Sequence, residues 1–237
     1  MNTENFSKTV VFCIEGKEYV QEFMRAWTEI LAYCFTNNIR PVLSIQETNY
    51  FNSKMRLVQS SDRMNVPFND NIKYDYIIFM NSSFLVNSNI VKELLAHELD
   101  IVSCLTLNKN TLQQSNYIEK FDLNDSTVES YSYENMERPN QILKEYKEYV
   151  NSKNDISGND VKDDEPSTLL KVEHVDFTVL CIKKGVLEKL PLPWFNFEQK
   201  TNDITGEVYF CNKCKTAGID IYVDLKLQAS SVKSVIL

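Results

Sequence analysis

The chain has 237 residues, of which 43% are hydrophobic and 24% are charged, and its formal net charge is −8. This composition is ordinary for a soluble globular protein, and the acidic balance argues against non-specific binding to nucleic acid or to an anionic membrane. The sequence shows no basic cluster followed by an apolar run at its start, and no apolar run approaches the roughly 20 residues of a membrane helix. We therefore expect no signal peptide and no transmembrane segment.

Cysteine usage indicates the compartment. The six cysteines lie mostly inside apolar segments, which is typical of reduced, buried thiols rather than of a disulfide framework. They are Cys13, Cys34, Cys104, Cys181, Cys211 and Cys214. We therefore expect a soluble protein of the cytoplasm.

The first elements follow a strand–helix–strand pattern. Residues 8–14 are a short, β-branched apolar run, which predicts a buried strand. Between residues 18 and 37 the apolar side chains recur at helical spacing, and residues 41–45 predict a second strand. A strand, a helix and another strand over about 40 residues make a βαβ unit, which implies a parallel sheet.

The same pattern then repeats. Residues 52–61 predict a helix, residues 76–80 a strand, residues 88–97 a helix and residues 100–105 a further strand. Alternating elements of this kind are typical of an α/β fold with helices on both faces of the sheet.

The middle of the chain differs in composition. Residues 108–166 are rich in Asn, Asp, Ser, Glu and Lys, which predicts a polar, mobile insertion with a short helix near residues 141–150. Regular elements are predicted again after the insertion: a strand at 172–183, a short helix at 184–190, a longer helix at 206–217 and a strand at 219–223. We expect residues 1–237 to form one domain that carries this insertion.

Two blocks of sequence carry a resemblance to a known family. The block DYIIFMNSS (75–83) has an acid, an apolar strand and a polar triplet, and the family's triplet is Asp-x-Asp. The C-terminal block adds four segments in the family's order and spacing: KGVLEKL (184–190), PWF (193–195), GEVYFC (206–211) and AGIDIYVD (217–224). The chain resembles the nucleotide-sugar-dependent glycosyltransferases of the GT-A fold, particularly their small single-domain microbial and viral members.

The resemblance covers most of residues 8–228, with the polar middle unmatched. It implies a GT-A-type, Rossmann-like α/β/α sandwich with a mostly parallel central sheet. It also implies transfer of a sugar from a nucleotide sugar, with a UDP-sugar as the expected donor, to a hydroxyl group of a glycan, a lipid or a protein.

The family's metal site is altered in this sequence. In metal-dependent members the Asp-x-Asp carboxylates and a later His hold Mn²⁺ or Mg²⁺ against the diphosphate, where the ion acts as a Lewis acid. Here the triplet is Asn81, Ser82 and Ser83, and residues 227–231, where the later His is expected, contain no histidine. Asn81 and Ser83 offer only weak oxygen ligands to a hard cation.

Three explanations are open for this altered site. The diphosphate could bring its own Mn²⁺ or Mg²⁺, with Asn81 and Ser83 as supporting partners. Basic side chains could replace the ion, and Arg56 matches a basic position that lies near the sugar or the phosphates in relatives. Alternatively, the site could bind a nucleotide sugar without turning it over.

The resemblance also implies roles for single residues. Glu207 matches the acid that removes the proton from the acceptor hydroxyl in inverting relatives, although a first-turn acid can also simply stabilise its helix. Asp75 matches a position used for nucleotide contact or for bracing a loop. Asp176 is expected at the acceptor side, or else as a solvated acid at a strand end. Trp194 could stack on a sugar or clamp a loop to the core, and His97 is interpreted as a helix-end histidine.

The leading hypothesis is a glycosyltransferase in which Glu207 is the general base. The alternative is a non-catalytic, nucleotide-sugar-binding relative, such as a sensor or a partner subunit, and a purely structural module ranks last. Glu207 favours the enzyme, because a decayed enzyme has no reason to keep a base in place.

Overall fold

The computed structural model describes residues 6–16, 19–46, 58, 66–107, 144–148, 151, 167–195 and 206–231. The strands are β1 (Lys8–Glu15), β2 (Ile39–Gln46), β3 (Tyr76–Asn81), β4 (Phe84–Val86), β5 (Ile101–Leu107), β6 (Leu169–Val172), β7 (Val179–Lys183) and β8 (Ile221–Ser231). The α-helices are α1 (Gln21–Thr36), α2 (Ile90–Ala96), α3 (Val186–Lys189) and α4 (Gly206–Thr216), and a short 3-10 helix spans Pro67–Asp70.

The predicted βαβ unit is present at the start of the chain. Strands β1 and β2 pair in parallel, and α1 connects them. The apolar side of α1 buries Phe23, Trp27 and Ile30, and the Trp27 ring meets the edge of Phe12 on β1 at 5.0 Å between centroids. Burial of this face holds the helix on the sheet, because each fully buried aliphatic or aromatic side chain contributes about 1.5–3 kcal/mol.

The described residues form one mixed sheet whose strand order is β2-β1-β3-β7-β5-β8-β4, with β6 also paired to β8. Five of its strands, β1, β2, β3, β5 and β8, run in the same direction, and β4, β6 and β7 run against them. The fold is therefore α/β with a mostly parallel central sheet, as expected.

Helices cover both faces of this sheet. Side chains of a strand alternate between the faces, so in β3 Ile77 and Phe79 enter one core while Ile78 and Met80 enter the other. Helices α1 and α2 pack on the face that carries Ile78, and α3 and α4 pack on the face that carries Phe79. This arrangement confirms the predicted layers.

The second half of the chain departs from the predicted elements in three places. The run at 172–183 is not one strand, because residues 173–178 separate β6 from β7, which pair with different strands. Residues 227–231 do not follow the last strand but lie inside β8. The short strand β4 was not predicted, and it pairs with the end of β8.

Two predicted segments lie mostly outside the described residues. Of the predicted helix at 52–61 the structure describes only Val58, and the polar insertion lies outside the described residues except at 144–148 and 151. Residues 144–148 are helical, which agrees with the short helix predicted near 141–150. Within the described ranges, no helix is long and apolar enough to cross a membrane.

All six cysteines are free and buried, as the sequence predicted. Burial raises the pKa of the Cys34 and Cys211 thiols to about 11 and that of Cys181 to about 12. These thiols therefore remain neutral packing groups near pH 7.

Candidate functional site

The topology brings several chain segments to one end of the sheet. Strands β1, β2, β3, β5 and β8 all end there, and we call it the carboxyl end of the sheet. Strand β7 begins at this end because it runs antiparallel to β3 and β5. Helix α4 also begins there, since it must run back along the sheet before the chain enters β8 at the opposite end. Ligands of open α/β sheets bind at the carboxyl ends of the strands.

The triplet Asn81–Ser82–Ser83 forms a tight turn at this carboxyl end. The N–H of Asn81 donates to the carbonyl of Thr178 at 2.9 Å, and the N–H of Ser82 donates to the carbonyl of Glu15 at 2.9 Å. The N–H of Ser83 donates back to Asn81 Oδ1 at 2.9 Å, so the side chain of Asn81 closes an Asx turn. The turn is thus held by the ends of both neighbouring strands.

The side chains of the triplet differ in access. Ser82 is fully buried, Asn81 is half-buried and Ser83 is exposed. The Asn81 oxygen is uncharged and already accepts a hydrogen bond, and the described residues include no group of three or more His, Cys, Asp or Glu that could hold a metal ion. Because divalent cations prefer charged oxygen ligands, the triplet does not fit a cation site held by the protein.

Asp176 lies at the same end of the sheet, just before β7. Its Oδ1 accepts hydrogen bonds from the Thr106 hydroxyl at 3.1 Å and from the Thr178 N–H at 3.0 Å. The carbonyl of Thr178 in turn accepts the Asn81 N–H, so Asp176 and the Asx turn share one backbone residue. The next side chain, Phe177, is buried among aromatic rings, which directs Asp176 away from the core.

The segment before β7 also packs along α4 in a regular register. The three contacts are an ion pair between Lys215 and Glu173, a hydrogen bond between Asn212 and His174 (3.2 Å) and one from Cys211 to the carbonyl of Val175 (3.9 Å). The contacts move toward the start of α4 as the segment approaches Asp176. The register therefore places Asp176 at the end of α4 that carries Glu207.

The electrostatics of Cys211 agree with this placement. Burial is the main cause that raises the pKa of Cys211, and the charges of Glu207 and Asp176 raise it further. The charges of both carboxylates therefore act on the same thiol. Together with the register along α4, this effect places Asp176 and Glu207 at the same end of the helix.

Glu207 occupies the first turn of α4, as the sequence predicted. Its side chain is half-buried, and the partial positive charge at a helix N-terminus favours the ionised carboxylate. The placement suits both roles given to Glu207 above, the general base and the helix-stabilising acid.

Trp194 is not at the acceptor side, in contrast to its predicted role. The ring is fully buried, and its Nε1–H donates to the carbonyl of Leu190 at 3.2 Å. A ring with no exposed face cannot stack on a sugar. Trp194 thus clamps the loop after α3 to the core, which was the alternative interpretation.

Asp75 lies at the opposite end of the sheet from the Asx turn. Its Oδ2 accepts the N–H of Thr9 at 2.7 Å, and its carbonyl accepts the N–H of Lys184 at 2.8 Å. Asn81 lies six positions after Asp75 along extended β3, which separates the two residues by about 20 Å. Asp75 therefore braces the sheet and does not share a site with Asn81, whereas Arg56 lies outside the described residues.

A buried acid that the sequence analysis missed lies on β8. Asp224 is fully buried, and its carboxylate accepts hydrogen bonds from His97 Nε2 (2.9 Å), Thr168 Oγ1 (2.5 Å) and the N–H of Lys226 (3.1 Å). Burial alone would raise the pKa of Asp224, but these hydrogen bonds hold it below its usual value. An acid flanked by the apolar residues Val223 and Leu225 was the available signal. His97 does lie at the end of α2, and its ring anchors that helix to β8.

Comparisons with known proteins give only distant structural similarities. No protein-family model and no curated protein sequence matches the chain. Among solved structures, A197 from STIV aligns at 15% identity with a TM-score of 0.46, over 96% of this chain and 86% of that one. The inositol-1-phosphate CTP transferase from T. maritima aligns at 12% identity with a TM-score of 0.42, over 95% and 89%.

A third solved structure, S. aureus TarS 1-349, aligns at 12% identity with a TM-score of 0.44 over 95% of this chain. The chain spans 60% of the length of that structure. Similarities at these identities and scores assign no activity, substrate or partner to the chain.

Proposed function

We propose that the chain is a glycosyltransferase that moves a sugar from a nucleotide sugar, with a UDP-sugar as the expected donor, to a hydroxyl group of a glycan, a lipid or a protein. The observation that carries the proposal is the register between α4 and the segment before β7. That register brings Asp176 and Glu207 to the carboxyl end of the sheet, where the Asn81–Ser83 turn also lies.

Glu207 is the general base of the proposed reaction. Its carboxylate takes the proton of the acceptor hydroxyl while the hydroxyl oxygen attacks the anomeric carbon of the donor. The bond from that carbon to the diphosphate oxygen breaks, and the nucleoside diphosphate leaves with the electron pair. A single displacement of this kind inverts the anomeric configuration, which the coupling constants of the product report.

Asp176 orients the acceptor in this scheme. One carboxylate oxygen is fixed by Thr106 and by the N–H of Thr178, and within the described residues the other oxygen has no hydrogen-bond partner. A rigidly held acceptor oxygen of this kind can receive a hydrogen bond from a substrate hydroxyl next to the one that reacts.

The donor diphosphate is proposed to lie at the Asn81–Ser83 turn. Arg56 remains a predicted partner of the sugar or the phosphates through the resemblance alone. A divalent cation that arrives with the diphosphate would supply charge neutralisation to the leaving group.

The test measures donor turnover with mass-spectrometric detection of product. The protein is incubated with UDP-glucose and with glycan, lipid and peptide acceptors, and release of UDP is followed. We expect UDP release that rises with one acceptor class and yields a glycosylated product. Binding of UDP-glucose without any release would identify a non-catalytic nucleotide-sugar-binding protein, and an absence of binding to any nucleotide sugar would refute the donor site itself.

A further inference from the structure

The Asx turn fixes the orientation of the Asn81 amide. The N–H of Ser83 needs an acceptor, so the oxygen of Asn81 faces the turn at 2.9 Å and the NH₂ group points away from it. Asn81 is half-buried at the end of β3, and within the described part of the chain its Nδ2 has no hydrogen-bond partner. Ser83, two residues after Asn81 in the same turn, is exposed and adds a hydroxyl group.

With this orientation the turn presents hydrogen-bond donors, where a carboxylate would present acceptors. A carboxylate at position 81 would present only acceptor oxygens, which attract a cation. The Asn81 amide instead presents two N–H donors, and Ser83 presents an O–H donor. Donors of this kind bind phosphate oxygens directly, and hydrogen bonds to a charged oxygen are stronger than those between neutral groups.

We propose that Asn81 Nδ2 and Ser83 Oγ donate hydrogen bonds directly to the diphosphate of a nucleoside diphosphate, so that binding at this turn requires no divalent cation. This inference rests on the proposed function and adds the way in which the donor is held. The exchange of acids for an amide and a hydroxyl then changes how the diphosphate is bound and does not abolish the site.

One carboxylate bears directly on this proposal. Glu15 ends β1 and pairs in register with Asn81, and both positions belong to the face of the sheet that carries α4. Its negative charge lies close to the turn, and in the absence of a cation it repels a diphosphate. Removal of that charge therefore distinguishes two modes of binding. It should strengthen direct phosphate binding, and it should weaken binding through a cation that the Glu15 carboxylate holds.

The experiment is a calorimetric titration of the intact protein with UDP, GDP and inorganic pyrophosphate, in EDTA and in Mn²⁺. For the wild type we expect a dissociation constant for the preferred nucleotide that is equal in both buffers within about threefold. Asn81→Asp keeps the acceptor that closes the turn but replaces the NH₂ group. In EDTA it should weaken binding by about tenfold or more, and Mn²⁺ should restore part of the loss.

Two further variants and a matched control accompany this titration. Ser83→Ala should weaken binding in EDTA by about threefold to tenfold, and Glu15→Gln should strengthen it. The control is Asn87→Asp, because Asn87 Oδ1 accepts the N–H of Asn89 at 2.9 Å in the same kind of turn at the other end of β4. This variant should leave the dissociation constant unchanged in both buffers.

Each other outcome has a defined meaning. Nucleotide binding by the wild type only in Mn²⁺, or equal binding by the wild type and Asn81→Asp in EDTA, overturns direct donation and leaves the proposed function in place. A loss of Mn²⁺-dependent binding in Glu15→Gln also overturns it, because β1 then supplies the ligand of a cation. An absence of binding to any nucleoside diphosphate in both buffers overturns the proposed function as well.

Discussion

The hydroxyl of Thr106 donates to the carboxylate of Asp176 over 3.1 Å, and this hydrogen bond joins the end of β5 to the segment that precedes β7. Thr106 is buried, so its side chain cannot turn to another position without loss of packing. Together with the N–H of Thr178, this hydroxyl fixes one oxygen of Asp176 and sets the direction of the carboxylate. The hydroxyl thus adds a side-chain link between two segments whose strands, β5 and β7, also pair in the sheet.

Replacement of Thr106 by Val should remove this link at almost constant volume. We expect the free energy of unfolding to fall by about 1 kcal/mol, because Asp176 Oδ1 loses one of its two donors, while Thr106→Ser should retain most of that energy. Urea denaturation measures both values.

The control for Thr106 is Thr216→Val. The Thr216 hydroxyl donates to the carbonyl of Asn212 at 2.9 Å at the exposed end of α4, where its loss should change stability by less than about 0.5 kcal/mol. Equal stability of Thr106→Val and wild type would contradict the anchoring role of this hydroxyl.

The buried carboxylate of Asp224 predicts a pH dependence of stability. Its pKa in the folded state is lowered, so the unfolded chain binds the proton more tightly than the folded protein. The contribution of Asp224 is therefore complete above the pKa of the unfolded chain and is lost as the pH falls through the lower folded pKa. Stability of the wild type should decline as the pH drops from about 5 toward 2.

Asp224→Asn should flatten this decline and also lower the free energy of unfolding at pH 7 by about 3 kcal/mol, because His97 and Thr168 lose a charged acceptor. Urea midpoints at several pH values measure both effects. Asp220→Asn is the control, since Asp220 forms an exposed ion pair with Lys171 at 2.7 Å, worth less than about 1 kcal/mol. An acid profile of Asp224→Asn parallel to that of the wild type would exclude Asp224 as its origin.

Because Trp194 is buried, its replacement should lower the stability of the protein without changing ligand binding. Trp194→Phe removes the hydrogen bond to Leu190 and leaves a small void, so the free energy of unfolding should fall by about 2 kcal/mol. Nucleotide-sugar and acceptor binding by the folded variant should be unchanged. Thermal unfolding and titration of the same sample provide both readouts, and a selective loss of sugar binding at unchanged stability would restore the stacking role.

The early part of the fold was predictable from the sequence because its signals are local. The spacing of Phe23, Trp27 and Ile30 predicts α1, and the apolar runs on either side predict β1 and β2. Hydrophobic periodicity within a short window is enough to predict such elements. The strand–helix–strand order then predicts a parallel sheet, and the parallel pairing of β1 with β2 and β3 confirms it.

The later part was less predictable because long-range pairing decides it. The run at 172–183 is apolar enough for one strand, yet β6 pairs with β8 and β7 pairs with β3 and β5, so the chain must leave the sheet between them. That departure is what places Asp176 at the carboxyl end of the sheet. No local pattern carries this information.

The site shows the same division. The first-turn position of Glu207 and the strand-end position of Asn81 follow from local signals, and both are confirmed. The 20 Å or so between Asp75 and the Asx turn follows only once Asp75 is placed at the start of β3. The bond between His97 and Asp224 spans 127 positions in sequence, and only the fold brings those residues into contact.

The most direct test of the account is the effect of Glu207→Gln on donor turnover and donor binding, measured on the same protein preparation. We expect UDP-glucose to bind with unchanged affinity, while the rate of sugar transfer falls by about 100-fold or more, because the variant cannot accept the proton of the acceptor hydroxyl. Glu98→Gln, the same change at an exposed acid at the opposite end of the sheet, should retain the wild-type rate. Equal transfer rates for Glu207→Gln and wild type, with only a small loss of helix stability, would contradict the account and leave Glu207 as a helix-stabilising acid.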